Sequence, residues 1–500
     1  MALPWQAAAT RAAEMVAGWE EHEPGGVVLG FDSIGPRFLE ARGLASLDHG
    51  LPFTPATPVR LASITKHIFC AVALKEGMPM HAPLGTMVPG LAPGLAAVPL
   101  RRALDMTGGL PDLADSFGLL GIPATADFSR TALLALARGL PDVNFTPGES
   151  IAYSNTGYRL AESALQAPFG SLLARHFPNH DLFYPEDSSD AVPGLAGGYW
   201  HDPGQGWRRG RYGLNFSASG GLAASAEALM RWSQHLMEEK GSLEGLWPRL
   251  TESGRLSDGR ETGYGLGLSR VALPGPALWG HGGSLPGYKN HLLLAPDLRI
   301  GVVVLSNRDE ASAYRIALSV LATLTGTALP CAASLPPGLY AEEEGPFWVD
   351  CSGDAILLMG AQEPLWQHES GDAIGLQSHQ PFQLKATPEG LSGMLGHRTC
   401  LLRKVDPTAR LDRGLLGRWA GTAFGSEVAL EVREGMNGTE LVLPGLPGSV
   451  AALRPLGPGK ALAERVAGPS RIRFALWLSR PDELLLVSQR SRVFRFNRTG

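Results

Sequence analysis

The segment Ser63-Ile64-Thr65-Lys66 opens an apolar run that continues to Leu74, and it is the most informative part of this sequence. In a helix, a lysine three positions after a serine lies on the same face, one turn away. A serine hydroxyl is protonated at neutral pH and becomes a nucleophile only when a neighbouring group takes its proton. A lysine in apolar surroundings lowers its pKa or finds partners, and either outcome prepares Lys66 to exchange a proton with Ser63. Alone the pattern is weak, because Ser63 could be a simple helix N-cap and Lys66 could lie on a solvated face.

A second motif, Tyr153-Ser154-Asn155, follows the turn-forming residues Thr146-Pro147-Gly148. A phenol near a lysine is easier to ionise, so we expect Tyr153 to act as a general base or proton relay. Asn155 can offer its side-chain amide to Lys66 or to a substrate carbonyl. The alternative is an ordinary turn with a half-buried tyrosine ring.

A third motif, His281-Gly282-Gly283-Ser284, precedes two strand-like segments. Glycines on an edge strand let a ligand approach the backbone closely, so we expect Gly283 and Ser284 to line the substrate site. The backbone N–H near Ser284 could pair with that of Ser63 as an oxyanion hole, where one donor contributes about 3 kcal/mol. His281 is expected to bind substrate or assist proton transfer, the alternative being a strand-turn histidine without a role. In this order, the three motifs predict acyl transfer through a serine ester.

Residues 1–330 mix helical and strand patterns. The patterns predict strands at 26–31, 37–46, 288–294 and 300–305 and helices at 63–76, 221–238 and 310–325. This order predicts an α+β fold: a catalytic domain with an antiparallel sheet, flanking helices and a helical subdomain built from the middle of the segment.

Short strand-like runs separated by turn residues fill the rest of the chain, over 335–408 and 412–500. Each section opens with a glycine two positions before an aromatic residue, in Gly338-Leu339-Tyr340 and Gly417-Arg418-Trp419. Each is long enough for about eight short strands, so the sequence predicts two antiparallel β-barrels after the catalytic domain.

Composition excludes several classes of protein. At 500 residues the chain is long enough for roughly three domains. A formal charge of −5 leaves no basic footprint for nucleic acid. No run approaches the roughly 18 apolar residues of a membrane span, and the N-terminus lacks the pattern of a secretion signal. The cysteines, which form no CxxC pair, disfavour zinc and redox sites; they are Cys70, Cys331, Cys351 and Cys400. These features predict a cytoplasmic protein with neither nucleic-acid nor membrane partners.

Taken together, the motifs resemble those of the serine β-lactamase and penicillin-binding-protein superfamily, over residues 1–330. The closest likeness is to the branch with Tyr-x-Asn as its second motif and His-x-Gly in place of a lysine-bearing third motif. With two C-terminal barrels, the whole chain looks like the D-aminopeptidase (D-stereospecific aminopeptidase) family.

This resemblance implies hydrolysis of an N-terminal D-amino acid from short peptides, amides or esters. Ser63 would attack the carbonyl, Lys66 and Tyr153 would manage its proton, and water would release the D-amino acid from an acyl-enzyme. No metal or organic cofactor enters that scheme. The resemblance also implies that a loop of the last barrel, matching 464–472 here, reaches the cleft near the substrate's amino end. Glu464 is its only carboxylate and thus the candidate for binding an ammonium.

Three alternatives stay open. A carboxylesterase or a weak penicillin-binding relative would use the same Ser-Lys-Tyr site. A non-catalytic peptide-binding protein is disfavoured, because a relative that had lost its activity during evolution would be expected to have lost at least one of the motif residues. Arg208, Arg209 and Arg211 are interpreted as a surface cluster rather than as contacts for an acidic substrate end. A homodimer is also open.

Overall fold

A mixed α/β unit forms the first part of the computed structural model, which describes residues 3–186, 189–214, 217–436, 438–446 and 448–499. Its helices are α1 Trp5–Met15, α2 Thr65–Lys75, α3 Pro93–Ala96, α4 Leu100–Leu104, α5 Leu113–Leu119, α6 Arg130–Arg138, α7 Thr156–Ser163, α8 Phe169–His176, α9 Ala226–Met237, α10 Leu246–Thr251 and α11 Ala313–Thr325. Its strands are β1 Gly26–Phe31, β2 Pro36–Arg42, β3 Leu44–Ser46, β4 Leu51–Pro52, β5 Val59–Arg60, β6 Tyr199–Asp202, β7 Gly206–Arg209, β8 Ala223–Ala224, β9 Ser269–Arg270, β10 Trp279–Leu285, β11 Tyr288–Ala295 and β12 Ile300–Ser306.

The central sheet is antiparallel, in the order β2-β1-β12-β11-β10-β9. Alternate residues of a strand face opposite sides of a sheet. Val28, Val302 and Val304 therefore pack with α1 and α11 on one side. On the other side, Leu29 and Val303 join the core that surrounds α2. The predicted pairing of 288–294 with 300–305 is confirmed, with Asn290 opposite Leu305.

Helix α2 is the buried centre of the unit. Its residues from Thr65 to Leu74 are all buried, as the apolar run predicts. The helix ends before Gly77, whose positive φ of 66° is a conformation that glycine adopts without strain. Because α2 carries Lys66, the burial of this helix places a lysine in the middle of an apolar core.

Two boundaries differ from the sequence prediction. The predicted helix at 221–238 begins only at Ala226, because Ala223 and Ala224 pair with β5 as a short strand. Ser225 then caps the helix, its hydroxyl accepting a hydrogen bond from the Ala228 N–H at 3.2 Å. The predicted strand at 37–46 is interrupted at Gly43, where φ is 72°.

The remainder of the chain folds into two antiparallel β-structures. A nine-stranded, nearly closed sheet has the order β16-β15-β14-β13-β21-β20-β19-β18-β17, and a closed barrel follows it from β22 to β29. These strands are β13 Leu335–Glu342, β14 Trp348–Gly353, β15 Ala355–Leu358, β16 Ala361–Pro364, β17 Trp366–Gln367, β18 Ala373–Ile374, β19 Phe382–Thr387, β20 Gly390–Leu395, β21 Arg398–Lys404, β22 Gly417–Ala423, β23 Ser426–Gly435, β24 Gly438–Val442, β25 Val450–Gly457, β26 Lys460–Ala467, β27 Ser470–Arg480, β28 Glu483–Val487 and β29 Phe494–Arg498. The predicted α+β class with a β-lactamase-like unit and two barrel-shaped modules is confirmed. The predicted domain boundaries, with the barrels at 335–408 and 412–500, stay a prediction.

The closed barrel docks on the catalytic unit through hydrogen bonds beside the second motif. The Asp112 N–H donates to the Arg490 carbonyl at 2.9 Å. The Ser116 and Ser491 hydroxyls are 2.9 Å apart, and the Arg492 N–H donates to Asn144 Oδ1 at 2.8 Å. This docking places barrel residues within reach of the Ser63 region.

The nine-stranded sheet docks separately, near the third motif. The Ser269 and Ser378 hydroxyls are 2.8 Å apart, and the Ala272 N–H donates to the Leu376 carbonyl at 3.0 Å. In the part of the chain that is described, no helix has the length and apolar character needed to cross a bilayer.

Candidate active site

Ser63 lies in a constrained turn at the start of α2. The preceding residue, Ala62, has a φ of 51°, a left-handed conformation that costs a residue with a Cβ free energy and is typical of functional sites. Strand β10 presses against this turn at Gly283, where an added Cβ would come within 2.0 Å of the Leu61 carbonyl oxygen. Glycine at position 283 is therefore required for β10 to approach the nucleophile turn.

Lys66 points at the Ser63 hydroxyl from inside the core. Its Nζ lies 2.9 Å from Ser63 Oγ, 2.8 Å from Asn155 Oδ1 and 2.6 Å from the Ser219 carbonyl oxygen. The side chain is wholly buried, and burial holds the pKa of Lys66 well below its usual range, although the charge of Asp112 opposes the shift. A neutral amine has two hydrogens and one lone pair. The two carbonyl oxygens can accept both hydrogens, which leaves the lone pair for the Ser63 hydroxyl proton.

Asn155 connects Lys66 to a carboxylate. Its Nδ2 donates to Asp112 Oδ2 at 2.8 Å, and its backbone N–H donates to the same oxygen at 2.7 Å. These two bonds fix which side of the amide faces Lys66. The prediction that Asn155 meets Lys66 agrees with this geometry.

Tyr153 contacts both members of the Ser-Lys pair. Lys66 Nζ lies 4.9 Å from the Tyr153 ring centre, and the phenol hydrogen-bonds the Ser63 side chain. The expectation that this phenol ionises easily is wrong. Burial raises the pKa of Tyr153 and outweighs both the hydrogen bond from Ser63 and the charge of Arg490. The geometry suits a neutral hydroxyl that passes a proton along rather than a phenolate base.

His281 lies beside Tyr153, not at the cleft surface. Its ring centre is 5.9 Å from that of Tyr153, and its Nε2 is 3.0 Å from the Tyr264 hydroxyl. Burial holds the pKa of His281 well below its usual range. His281 is not among the described residues that line the Ser63 cleft. This position fits support of the Tyr153 ring, and a direct catalytic role stays a prediction.

The cleft at Ser63 has a volume of about 590 Å³. Ser63, Asn155 and Ser284 all line it, as the sequence predicts for a nucleophile, an amide and an oxyanion-side residue. Charged residues also line it: Asp112, Asp115, Arg159, Lys289, Asp309, Arg471 and Arg490. Among the described residues, no group of three or more His, Cys, Asp or Glu side chains is arranged to hold a metal ion.

Glu464 takes a different place from the one expected. Its carboxylate pairs with three arginines, at 2.8 Å from Arg473, 3.5 Å from Arg471 and 3.8 Å from Arg454. It is absent from the described lining of the cleft. The segment 464–472 is a β-hairpin of β26 and β27 whose turn, including Pro469 and Ser470, does line the cleft.

Sequence reasoning missed two residues that the C-terminal modules contribute. The Arg490 guanidinium carbon lies 4.7 Å from the Tyr153 ring centre. Burial works against the charged form of Arg490, but the carboxylates of Asp115 and Asp112 outweigh it and raise its pKa. His379 packs with a ring centre 5.5 Å from Tyr153. Neither residue belongs to a local motif, so no sequence signal marked them.

A family model described as beta-lactamase matches residues 9–326. This chain belongs to that family. The match covers the serine, tyrosine and histidine motifs and ends before the C-terminal modules.

A D-aminopeptidase is among the relatives of this chain. The chain is 28% identical over 339 residues to a D-aminopeptidase of Gluconobacter oxydans strain 621H, and the alignment covers 64% of this chain and 63% of the relative. The alignment thus spans less than two thirds of that relative.

Solved structures share its fold. An octameric penicillin-binding protein homologue from Pyrococcus abyssi matches with a TM-score of 0.55 and 16% identity, over 99% of this chain and 100% of the other. A D-amino acid amidase from Ochrobactrum anthropi SV3, complexed with D-phenylalanine, matches with a TM-score of 0.53 and 18% identity, over 64% of this chain and 98% of the other. At these identities the likeness concerns the fold alone. For the Pyrococcus abyssi protein it extends beyond the catalytic unit.

Proposed function

We propose that this protein is a serine hydrolase that releases N-terminal D-amino acids from short peptides, amides or esters through an acyl-enzyme. The observation that carries the proposal is the 2.9 Å contact between Ser63 Oγ and the buried Nζ of Lys66. Burial lowers the pKa of Lys66 and so favours the neutral amine, and a neutral amine beside a hydroxyl is a general base.

The reaction begins when Ser63 Oγ attacks the substrate carbonyl carbon and its proton passes to Lys66 Nζ. The tetrahedral oxyanion is held by the backbone N–H groups of Ser63 and Ser284. Lys66 returns this proton through the Tyr153 hydroxyl to the leaving amine or alcohol, and the C–N or C–O bond breaks to leave the acyl-Ser63 ester and a neutral Lys66. Water then attacks the ester carbonyl, Lys66 takes its proton, and the proton passes to Ser63 Oγ as the C–O bond to Ser63 breaks. All of these groups belong to this chain.

Preference for a D-amino acid rests on the relatives and on the cleft. The curated relative is named a D-aminopeptidase, and the Ser63 cleft carries carboxylates that a substrate ammonium can meet. Asp115 is the candidate. Asp112 already accepts two hydrogen bonds from Asn155, and Asp309 forms an ion pair with Lys289 at 3.4 Å. Glu464 is occupied by its three arginines and is a weaker candidate.

The test is release of p-nitroaniline from paired D- and L-alanine p-nitroanilides by the wild type and by Ser63→Ala. The proposal predicts turnover of the D form, a much slower reaction of the L form, and loss of both in Ser63→Ala. Equal turnover of both enantiomers would contradict the stereochemical claim. Hydrolysis of p-nitrophenyl acetate alone, through Ser63, would favour the carboxylesterase alternative.

A further inference from the structure

A second, wider compartment, with a volume of about 900 Å³, lies beside the Ser63 cleft. The two share part of their lining, including Asp115, Pro469, Arg471 and Arg490. They are therefore adjacent, and a molecule bound at Ser63 lies beside the wide compartment. A single amino acid fits in the compartment at Ser63, so the wide one is available to the leaving group.

The wide compartment is strongly cationic. Its described lining contains six arginines but only one carboxylate, that of Asp115. The arginines are Arg208, Arg209, Arg211, Arg471, Arg473 and Arg490. They come from hairpin β6–β7 and the loop after it, from hairpin β26–β27, and from the loop after β28. Two distant parts of the chain thus bring like charges to one cavity.

Several of these arginines lack a full counter-charge. Arg209 and Arg473 form ion pairs with Asp48 and Glu464. Arg208 has the amide of Gln205 as its hydrogen-bond partner, and neither Arg208 nor Arg211 forms an ion pair with a residue in the described ranges.

Arg471 is also available to a ligand. Its guanidinium is 3.5 Å from Glu464, and its side chain is 60% exposed. Clustered guanidinium groups repel one another, and a bound anion removes that cost while accepting paired N–H donors.

The other walls of the compartment are apolar, with Leu119, Ile122, Trp200 and Met359 among the lining residues. A cleft with low-dielectric walls and charge of one sign focuses its field on a ligand of the opposite sign. A surface cluster on a convex face would lack both features. Arg208, Arg209 and Arg211 are exposed, as the surface interpretation expects, and they also line this compartment.

We propose that the arginines of the wide compartment bind the carboxylate at the far end of the substrate. The favoured substrate is then a short peptide with a free C-terminal carboxylate rather than its amide. This inference rests on the proposed function for its placement of the leaving group. Arg208, Arg211 and Arg471 supply the contacts, and the apolar wall accommodates the side chains between the carboxylate and the scissile bond.

Calorimetry on Ser63→Ala tests this without turnover. The ligands are peptides that begin with D-alanine, contain one to four further glycines, and end in either a carboxylate or an amide. At one or more lengths, we expect the acid to bind at least about tenfold more tightly than the amide, as a charge-assisted contact requires. Adding salt should reduce that preference. In Arg208→Gln/Arg211→Gln on the same background, the preference should largely disappear.

Arg433→Gln is the matched control, because Arg433 is an exposed arginine of β23 paired with Glu440 at 2.9 Å and absent from the compartment's described lining. This variant should keep the full preference. Equal binding of acid and amide at every length, or a preference that survives in the double variant, would overturn the inference. Failure of the wild type to release D-alanine, with the preference intact in Ser63→Ala, would overturn the proposed function and leave the carboxylate site standing.

Discussion

The guanidinium carbon of Arg490 lies 4.7 Å from the centre of the Tyr153 ring, although the two residues belong to different modules. The Arg490 carbonyl accepts hydrogen bonds from the Asp112 N–H at 2.9 Å and from Asn144 Nδ2 at 3.0 Å. Asp112 in turn holds Asn155, which contacts Lys66. The closed barrel is thus connected to the Ser-Lys pair through a short chain of polar contacts.

Replacement of Arg490 should change the pH dependence of the reaction. The charge of Arg490 helps to depress the pKa of Lys66, after burial and against the opposing effect of Asp112. In Arg490→Met the pKa of Lys66 should rise, and the acidic limb of kcat/KM against pH should move to higher pH. Arg490→Lys, which keeps the charge, should restore most of the original profile. A uniform loss of activity with an unshifted profile would indicate a purely structural role for Arg490.

Lys66→Met should lower kcat/KM at least about 10³-fold, because the general base is lost. The same variant should change the pH dependence of stability. The pKa of Lys66 is lowered in the folded state, so between its folded and unfolded values the unfolded chain binds up to one proton more and stability rises with pH. Urea unfolding between about pH 6 and pH 9 should show this rise in the wild type and a smaller one in Lys66→Met. Identical slopes would mean that Lys66 is charged in the folded protein.

The turn of hairpin β26–β27 should control substrate length. Pro469, Ser470 and Arg471 line the cleft at Ser63. Replacing Pro469 and Ser470 with glycine, while keeping Arg471 for its proposed contact with the substrate carboxylate, should raise kcat/KM for longer peptides relative to D-alanine p-nitroanilide, with little change in melting temperature. Pro481→Gly, in the turn after β27 and outside the described cleft lining, is the control and should behave like the wild type. Unchanged length preference would show that the turn does not restrict substrate entry.

Acid should destabilise the fold below about pH 6.5. Burial lowers the pKa of His67, His291 and His379 to about 3 each. The unfolded chain therefore takes up protons that the folded protein excludes, and the free energy of unfolding decreases as the pH is lowered. Glu363 acts in the opposite sense, because burial raises its pKa to about 7 and the folded state binds its proton first.

The measurement is the free energy of unfolding at a series of pH values for the wild type and His291→Phe. In the variant, the slope of the free energy of unfolding against pH should be smaller by the contribution of one proton, about 1.4 kcal/mol per pH unit. A slope unaffected by His291→Phe would mean that this histidine titrates equally in both states.

Much of this architecture was predictable because it is local in the sequence. The apolar run after Ser63 predicted buried helix α2, and alternating strand patterns predicted the pairing of 288–294 with 300–305. The Ser63, Lys66 and Asn155 contacts followed from helix geometry and the second motif.

The parts that could not be predicted depend on docking. Arg490 and His379 reach Tyr153 only because two separate β-modules pack on the catalytic unit. Glu464 was misplaced because its strand partners, including Arg473 opposite it, compete for its carboxylate. The raised pKa of Tyr153 likewise follows from burial, which no short motif encodes.

The central claim is that a neutral, buried Lys66 makes Ser63 nucleophilic. The most direct test is the rate of covalent labelling by a fluorophosphonate, followed by mass spectrometry of the labelled peptide, in the wild type and in folded Lys66→Met. The account predicts a label on Ser63, a rate that rises with pH through the pKa of Lys66, and near-complete loss of labelling in the variant. A label on another serine, or equal rates in the two proteins, would contradict it.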